Sequence, residues 1–494
     1  MLEGALSLLE PYSLLSMTFG LAMGIIFGAI PGLTSSLSLS LLVPVSFGME
    51  PTYAMLLMLG SYCGAEYGGS ISAILLGIPG TPAAAATKLD GHEMKKKGQA
   101  WEALRMSAFA SSVGGIISAL ALIIGGPILA RFALNFGPPE FFAVGIMGLT
   151  IIASLDEKSM GKAFASGGIG IFLAVIGMDT VTGYPRYTFG SISLMGGVEL
   201  VPMLVGLFAV PELISMLGAK DNEGVDIKEN LAGKFFPPFS EIKQCANAIF
   251  RGSIIGIIIG IIPGTGSSIS CFMAWNEAKR ISPNPETFGT GNLQGVAAPE
   301  SSNNAITGGT LIPTLALGIP GNSSTAIFLG ALMLHQLIPG PRLFVDQPKV
   351  VWAMLLGLLL INIFLYFMAM VGLRYFIKVL KIPKGIIASI ITTLVVIGCY
   401  SIRNNPFDIN TALVIGLLGF FLKKAHFPVA PIVVAIIVTP IIEASFWQSM
   451  IISENGAWIF VTRPLSVALF LLSALSVGYP FYQGWKKQKQ VKNS

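Results

Sequence analysis

The chain has 494 residues, 53% of them hydrophobic and only 11% charged, with a formal net charge of +5. A soluble domain carries roughly 25% charged residues, so a globular protein of this length is excluded for want of polar surface. The basic residues sit in short loops between apolar segments and form no single basic face, so no nucleic-acid partner is expected.

Met1–Thr87 holds no Lys or Arg, so the basic start of a cleavable leader is missing and none is expected. The first apolar helix is interrupted at GIIFGAIPGLTSSLS, Gly24–Ser38. Proline supplies no N–H and glycine permits unusual backbone angles, so a break is expected at Pro31-Gly32. Next comes SYCGAEYGG, which places Glu66 between apolar segments. A carboxylate within the membrane costs roughly 2.5–3.5 kcal/mol on insertion scales. Glu66 is therefore a candidate cation ligand or proton carrier; the competing reading is a water-facing group. A second break is expected at LGIPGTPAAAA, Leu76–Ala86, followed by the basic Lys88, Lys95–Lys97 and Arg105.

The second half opens with GIIIGIIPGTGSSIS, Gly256–Ser270, and continues into the basic Lys279-Arg280. A polar stretch follows, Gly291–Gly309, and then LGIPGNSSTAI, Leu317–Ile327. Further apolar segments include Val350–Gly372, Gly385–Cys399 and Leu465–Val477, approaching or reaching the roughly 20 residues that cross a bilayer. About a dozen spans are expected.

The motifs match in pairs and in order. Pro31, Gly32, Ser35, Ser36 and Ser38 align with Pro263, Gly264, Ser267, Ser268 and Ser270; the Leu-Gly-Ile-Pro-Gly of Leu76–Gly80 aligns with that of Leu317–Gly321. The charges that follow are opposite. Met49–Pro51 has no basic residue where its counterpart has Lys279-Arg280, and Lys88–Lys97 is basic where His335–Pro341 has neither Lys nor Arg. Basic loops lie in the cytoplasm. Equivalent points thus fall on opposite faces, the mark of an inverted-topology repeat. The expected fold is all-α, a polytopic transmembrane helical bundle with broken or re-entrant helices. Residues 1–218 form one half, 219–246 a cytoplasmic linker and 247–494 the other half, with the C-terminus cytoplasmic.

Each break leaves backbone groups without helical partners, tolerated in a bilayer only where protein or a water-filled cavity satisfies them. A helix restarting after Gly32, Gly80, Gly264 or Gly321 aims free N–H groups and its positive end into that cavity, a ready anion site. Thr34, Ser35, Ser36, Thr81, Thr265, Gly266, Ser267, Ser268, Asn322, Ser323, Ser324 and Thr325 would line it. Asn303 and Asn304 are expected along the same route. The stretches 1–87 and 281–341 contain no Lys or Arg, so a bound anion needs a co-bound cation; Ser38, Glu66, Ser270 and Glu300 are the candidate ligands, with Na+ the candidate ion. The competing reading of each serine is close helix packing.

No other chemistry stands out. Cys63, Cys245, Cys271 and Cys399 form no Cys-x-x-Cys pair, and His92, His335 and His426 are scattered. Gly264–Ser268 lacks the lysine of a phosphate-binding loop, and no hydrolase motif is present. No cofactor is expected, and the chain is not expected to be an enzyme.

Taken together, Gly28–Gly32, Gly77–Pro82, Gly260–Gly266, Ala298–Ala305 and Leu317–Gly321 resemble the TctA family, the large permease subunit of tripartite tricarboxylate transporters. The likeness runs from Pro11 to about Trp485. It implies a bacterial inner-membrane importer driven by an ion gradient, commonly Na+. It also implies a small TctB-like membrane subunit, an extracytoplasmic TctC-like solute-binding protein, and a tricarboxylate or related organic carboxylate as substrate. The alternatives are an anion-selective channel, which needs no binding protein, and an intramembrane enzyme, for which no nucleophile–base constellation is visible.

Overall fold

The computed structural model describes residues 1–154, 160–179, 181–218, 233–264 and 266–492. The described chain is a helical bundle. Its first part comprises α1 (Leu2–Ser7), α2 (Pro11–Ala29), α3 (Ser35–Ser46), α4 (Pro51–Leu76), α5 (Ala84–Lys96), α6 (Ala100–Ala133), α7 (Pro138–Ser154), α8 (Met160–Ala174), α9 (Ile192–Met195) and α10 (Leu200–Leu217). A two-residue antiparallel hairpin, β1 (Gly177–Met178) with β2 (Pro185–Arg186), lies between α8 and α9. The second part comprises α11 (Phe239–Ile261), α12 (Gly266–Ile281), α13 (Leu293–Leu317), α14 (Ser323–Leu334), α15 (Leu343–Asp346), α16 (Pro348–Val379), α17 (Lys384–Arg403), α18 (Pro406–Lys424), α19 (Ala430–Ile452), α20 (Ile459–Thr462) and α21 (Pro464–Lys492).

Among the described residues, eight helices are long and apolar enough to cross a membrane: α2, α6, α10, α11, α16, α17, α18 and α19. A ninth is counted if the pair 456–462 and 464–478, bent by 80°, is one span. The protein is thus a multi-pass membrane protein. The count falls below a dozen partly because the two central helices are too polar to qualify. Helix α4 is buried without interruption from Ala54 to Leu75, and α13 from Gly295 to Ala316. Both stretches are enclosed by protein, which answers most of their serine and threonine hydroxyls and the asparagine N–H groups.

Each central helix is gripped by a glycine-lined neighbour. A Cβ on Gly20, Gly24 or Gly28 of α2 would strike the carbonyls of Leu57, Ser61 and Ala65 of α4. A Cβ on Gly60, Gly64 or Gly68 of α4 would in turn meet the carbonyls of Met17, Leu21 and Ile25. Gly252, Gly256 and Gly260 of α11 stand against α13 at Ala298, Ser302 and Gly309 in the same way. Four-residue spacing of small residues lets membrane helices touch backbone to backbone. The hydroxyls repeat the pattern: Ser38 bonds Ser61 at 2.8 Å, and Ser270 bonds Ser302 at 2.5 Å.

The two expected halves interleave. Helix α6 packs on α13, where Gly308 approaches the Ser118 carbonyl, and Ser112 donates to the Asn362 carbonyl of α16 at 2.6 Å. Of the expected linker, 219–232 lie outside the described residues. Its end is tied down: the Lys234 carbonyl accepts from Trp101 Nε1, Phe236 stacks on Tyr366, and Arg105 pairs with Glu241 at 2.8 Å.

Candidate functional site

All four breaks are present. Helix α2 stops at Ala29, Ile30 is extended, Gly32 takes φ +94°, and Thr34 caps α3 by accepting the Leu37 N–H. A side chain at Gly32 would be strained in that left-handed conformation. The equivalent break separates α11 from α12, with Ile262 extended and Gly264 at φ +81°. Gly77 and Gly318 close α4 and α13. Asn322 and Thr325 cap α14 reciprocally, each side chain accepting the other's backbone N–H at 2.9 Å.

The restarted helices pair across the molecule. At the start of α3, Ser35 and Ser36 hydrogen-bond Ser324 near the start of α14, at 2.9 and 3.2 Å. At the far ends Ser46 bonds His335 at 3.1 Å, so α3 and α14 run side by side in one direction. Helices α5 and α12 form the other pair. Ala83 and Ala86 pack on Cys271 near their starts, and Trp275 Nε1 donates to Asp90 at 2.8 Å further along.

The starts of α3, α12 and α14 open onto one cavity of about 420 Å³. Gly32, Thr34, Ser35, Ser36, Glu66, Gly266, Ser267, Ser268, Asn322, Ser323 and Ser324 line it, with Pro82 from the break before α5. The cap side chains of Thr34 and Asn322 take the third N–H of their helices. The first two N–H groups of each, those of Ser35, Ser36, Ser323 and Ser324, have no acceptor within the helix. They aim positive helix ends at the cavity.

Other expected residues stand behind this wall. Gly264 donates its N–H to the Gly321 carbonyl at 2.6 Å, and Gly80 donates to the Gly69 carbonyl at 3.1 Å. Asn303 donates to the Glu66 carbonyl at 2.8 Å, and Asn304 donates to Asn362 Oδ1 at 2.6 Å. Ser38 and Ser270 are occupied by their serine partners. Thr265 lies outside the described residues.

The two candidate carboxylates differ in surroundings. Glu66, 3% exposed, accepts from Ser35 at 2.8 Å through Oε1, while Oε2 has no partner. Thr81 Oγ1 and Asn303 Oδ1 are likewise buried and unpartnered. Glu300 is away from the cavity wall and fully satisfied. Ser70 and Thr87 donate to its Oε1, and Ser107 and Ser111 donate to its Oε2 at 3.0 and 3.3 Å.

Two further charged groups stand on the wall beside Glu66, and they too lie outside the repeat motifs: Glu212 of α10 and Lys423 of α18, 2.9 Å apart. Lys423 reads from sequence as one of a basic pair ending an apolar helix. Glu212 has a signal comparable to that of Glu66, a carboxylate in the apolar run LFAVPELIS. Lys423 lies outside the two stretches, 1–87 and 281–341, that lack Lys and Arg.

Comparison with known proteins gives a consistent picture. Residues 14–434 match the family described as "Tripartite tricarboxylate transporter TctA family". An Agrobacterium vitis protein described as "Uncharacterized 52.8 kDa protein in TAR-I ttuC' 3'region" is 34% identical over 469 residues, 95% of this chain and 93% of that relative. A second, "Uncharacterized protein in TAR-II ttuC' 3'region" from the same organism, is 35% identical over 222 residues, 45% of this chain and 92% of that relative. No solved structure matches the chain.

Proposed function

Because the chain belongs to the tripartite tricarboxylate transporter TctA family, and so to a family of transporters rather than enzymes, we propose that it is the large permease subunit of a cation-coupled importer of organic carboxylates. One observation carries this reading: helix starts from both parts of the chain converge on a single cavity lined by serines and an asparagine. Anions bind at helix starts because the unbonded N–H groups and the dipole both favour negative charge. Small substrates of broken-helix transporters bind at such half-helix tips near the middle of the bilayer.

The charges on the wall support coupling to a cation. Glu66 and Glu212 are carboxylates, and Lys423 already pairs with Glu212. An entering carboxylate therefore meets an unanswered negative group at Glu66. The unpartnered Glu66 Oε2 and Asn303 Oδ1 are hard oxygen donors of the kind that suits Na+. A co-transported Na+ beside Glu66 would answer both the protein carboxylate and the substrate. The inverted repeat, with halves 1–218 and 247–494, supplies the two-sided symmetry that alternating access needs. In the full system a small membrane subunit and an extracytoplasmic binding protein deliver the substrate, and the chain sits in a bacterial inner membrane with its C-terminus inside.

The test is uptake of a radiolabelled carboxylate panel by proteoliposomes carrying the full chain with both partners, with and without external Na+. Carboxylate uptake that rises with a Na+ gradient is expected. Ser35→Ala with Ser267→Ala should raise KM at least about tenfold, the loss of up to two charge-assisted hydrogen bonds. Unaltered KM in that double variant removes the helix-tip site; uptake indifferent to both Na+ and proton gradients removes the coupling.

A further inference from the structure

The cavity contains one charged pair that the helix-tip argument leaves unused. Lys423, in the last turn of α18, places Nζ 2.9 Å from Glu212 Oε2. The lysine side chain is 59% exposed and the glutamate only 14%. Glu212 Oε1 lies 3.1 Å from where a Cβ on Gly32 would stand, so this carboxylate rests on the turn that leads into α3. The same two residues, Gly32 and Glu212, also line an adjoining cavity of about 550 Å³ whose wall includes Lys381 and Lys384. The ion pair thus stands at the divide between the two cavities. A carboxylate of the protein is already lodged where an ammonium group and the approach to a helix start both favour an anion.

We propose that Lys423 is a specificity-determining residue that takes a second carboxylate of the substrate, and that Glu212 is the internal counter-ion which that carboxylate displaces. This rests on the helix-tip reading of the first carboxylate and assigns two residues to the choice of a di- or tricarboxylate over a monocarboxylate. The exchange at Lys423 is charge-neutral, one carboxylate for another. The released Glu212 turns toward the adjoining cavity, where Lys381 and Lys384 lower the cost of its charge. A monocarboxylate held at Ser35, Ser36 and Ser324 has no second group to offer, so Lys423 stays on Glu212 and adds nothing to its binding. Selectivity then comes from a bond that only the longer anion can make.

The experiment uses the complete reconstituted system and a radiolabelled panel of mono-, di- and tricarboxylates. The best substrate is then compared, as competitor, with its analogue amidated at every carboxylate but one. The wild type should prefer a di- or tricarboxylate. Lys423→Gln should raise KM for it about tenfold to hundredfold while leaving inhibition by the amidated analogue unchanged. Lys423→Arg should restore the preference, and Glu212→Gln should lower KM because Lys423 is no longer engaged. A wild-type preference for a monocarboxylate overturns the proposal. So does an equal loss for both ligands in Lys423→Gln, or a higher KM in Glu212→Gln. If Lys423→Gln is absent from the membrane, Lys423→Arg and Glu212→Gln decide alone. Failure here with Ser35→Ala plus Ser267→Ala still weakening uptake leaves the helix-tip site standing, whereas unaltered uptake in that pair removes both.

Discussion

Glu66 and Glu300 show how much a carboxylate's role depends on its partners. In the sequence Glu66 stands between apolar segments and Glu300 within the polar stretch Gly291–Gly309, and both qualify there as candidate cation ligands. The hydroxyls that answer Glu300 come from Ser70, Thr87, Ser107 and Ser111, on α4, α5 and α6, far away in the chain. No local pattern announces them. Glu66 faces the cavity with one oxygen unpartnered. The two should respond differently to substitution. Glu300→Ala orphans several buried hydroxyls and should cost at least about 3 kcal/mol, read as a lowered Tm in detergent. Glu66→Gln keeps the volume and removes only the charge, so Tm should hold while the Na+ dependence of uptake weakens. Equal losses of Tm in the two variants would make Glu66 a structural carboxylate like Glu300.

At the scale of elements, the four helix breaks were legible because proline and glycine act locally: the missing N–H at Pro31 and the left-handed turn at Gly32 do not depend on the rest of the fold. The burial of α4 and α13 was less legible, since a polar helix in a membrane chain is defined by what surrounds it. The clue lay in glycines four apart, Gly20-Gly24-Gly28 and Gly252-Gly256-Gly260, which the structure sets against α4 and α13. Their effect is steric. Gly24→Val drives side-chain atoms into the Ser61 carbonyl, a backbone atom that cannot give way, and should destabilise by about 1–3 kcal/mol or more. Gly167 of α8 is the control, because a Cβ there meets nothing within 4 Å. Gly167→Ala should be neutral or gain about 0.5–1 kcal/mol of helix propensity. Matching Tm losses in the two variants would argue against backbone contact as the cause. Lys423 and Glu212 each carry a local signal, a basic pair and a carboxylate in an apolar run, but their meeting at the cavity was not legible, since α10 and α18 lie outside the repeated motifs and come together only in the packed fold.

For the whole molecule, the pairing of restarted helices gives the proposed inverted repeat a concrete form. Helices α3 and α14 run together toward segments without Lys or Arg, at Phe47–Pro51 and His335–Pro341. Helices α5 and α12 run together toward Lys95–Lys97 and Lys279-Arg280. Each pair takes one helix from each half, so a cavity at their starts is bounded from both directions by equivalent elements. A charge difference between the far ends is what positive-inside sorting would produce if the pairs point to opposite faces. Cysteine labelling tests this directly, and the native chain is a suitable background because Cys63, Cys245, Cys271 and Cys399 are all buried. Lys97→Cys and Arg280→Cys should react with a membrane-impermeant maleimide only in inside-out vesicles. Phe47→Cys and Ile338→Cys, at positions 44% and 76% exposed, should react only in right-side-out vesicles. Labelling of Lys97→Cys and Arg280→Cys from different sides would separate α5 from α12, and the cavity could then no longer be reached symmetrically from the two faces of the membrane.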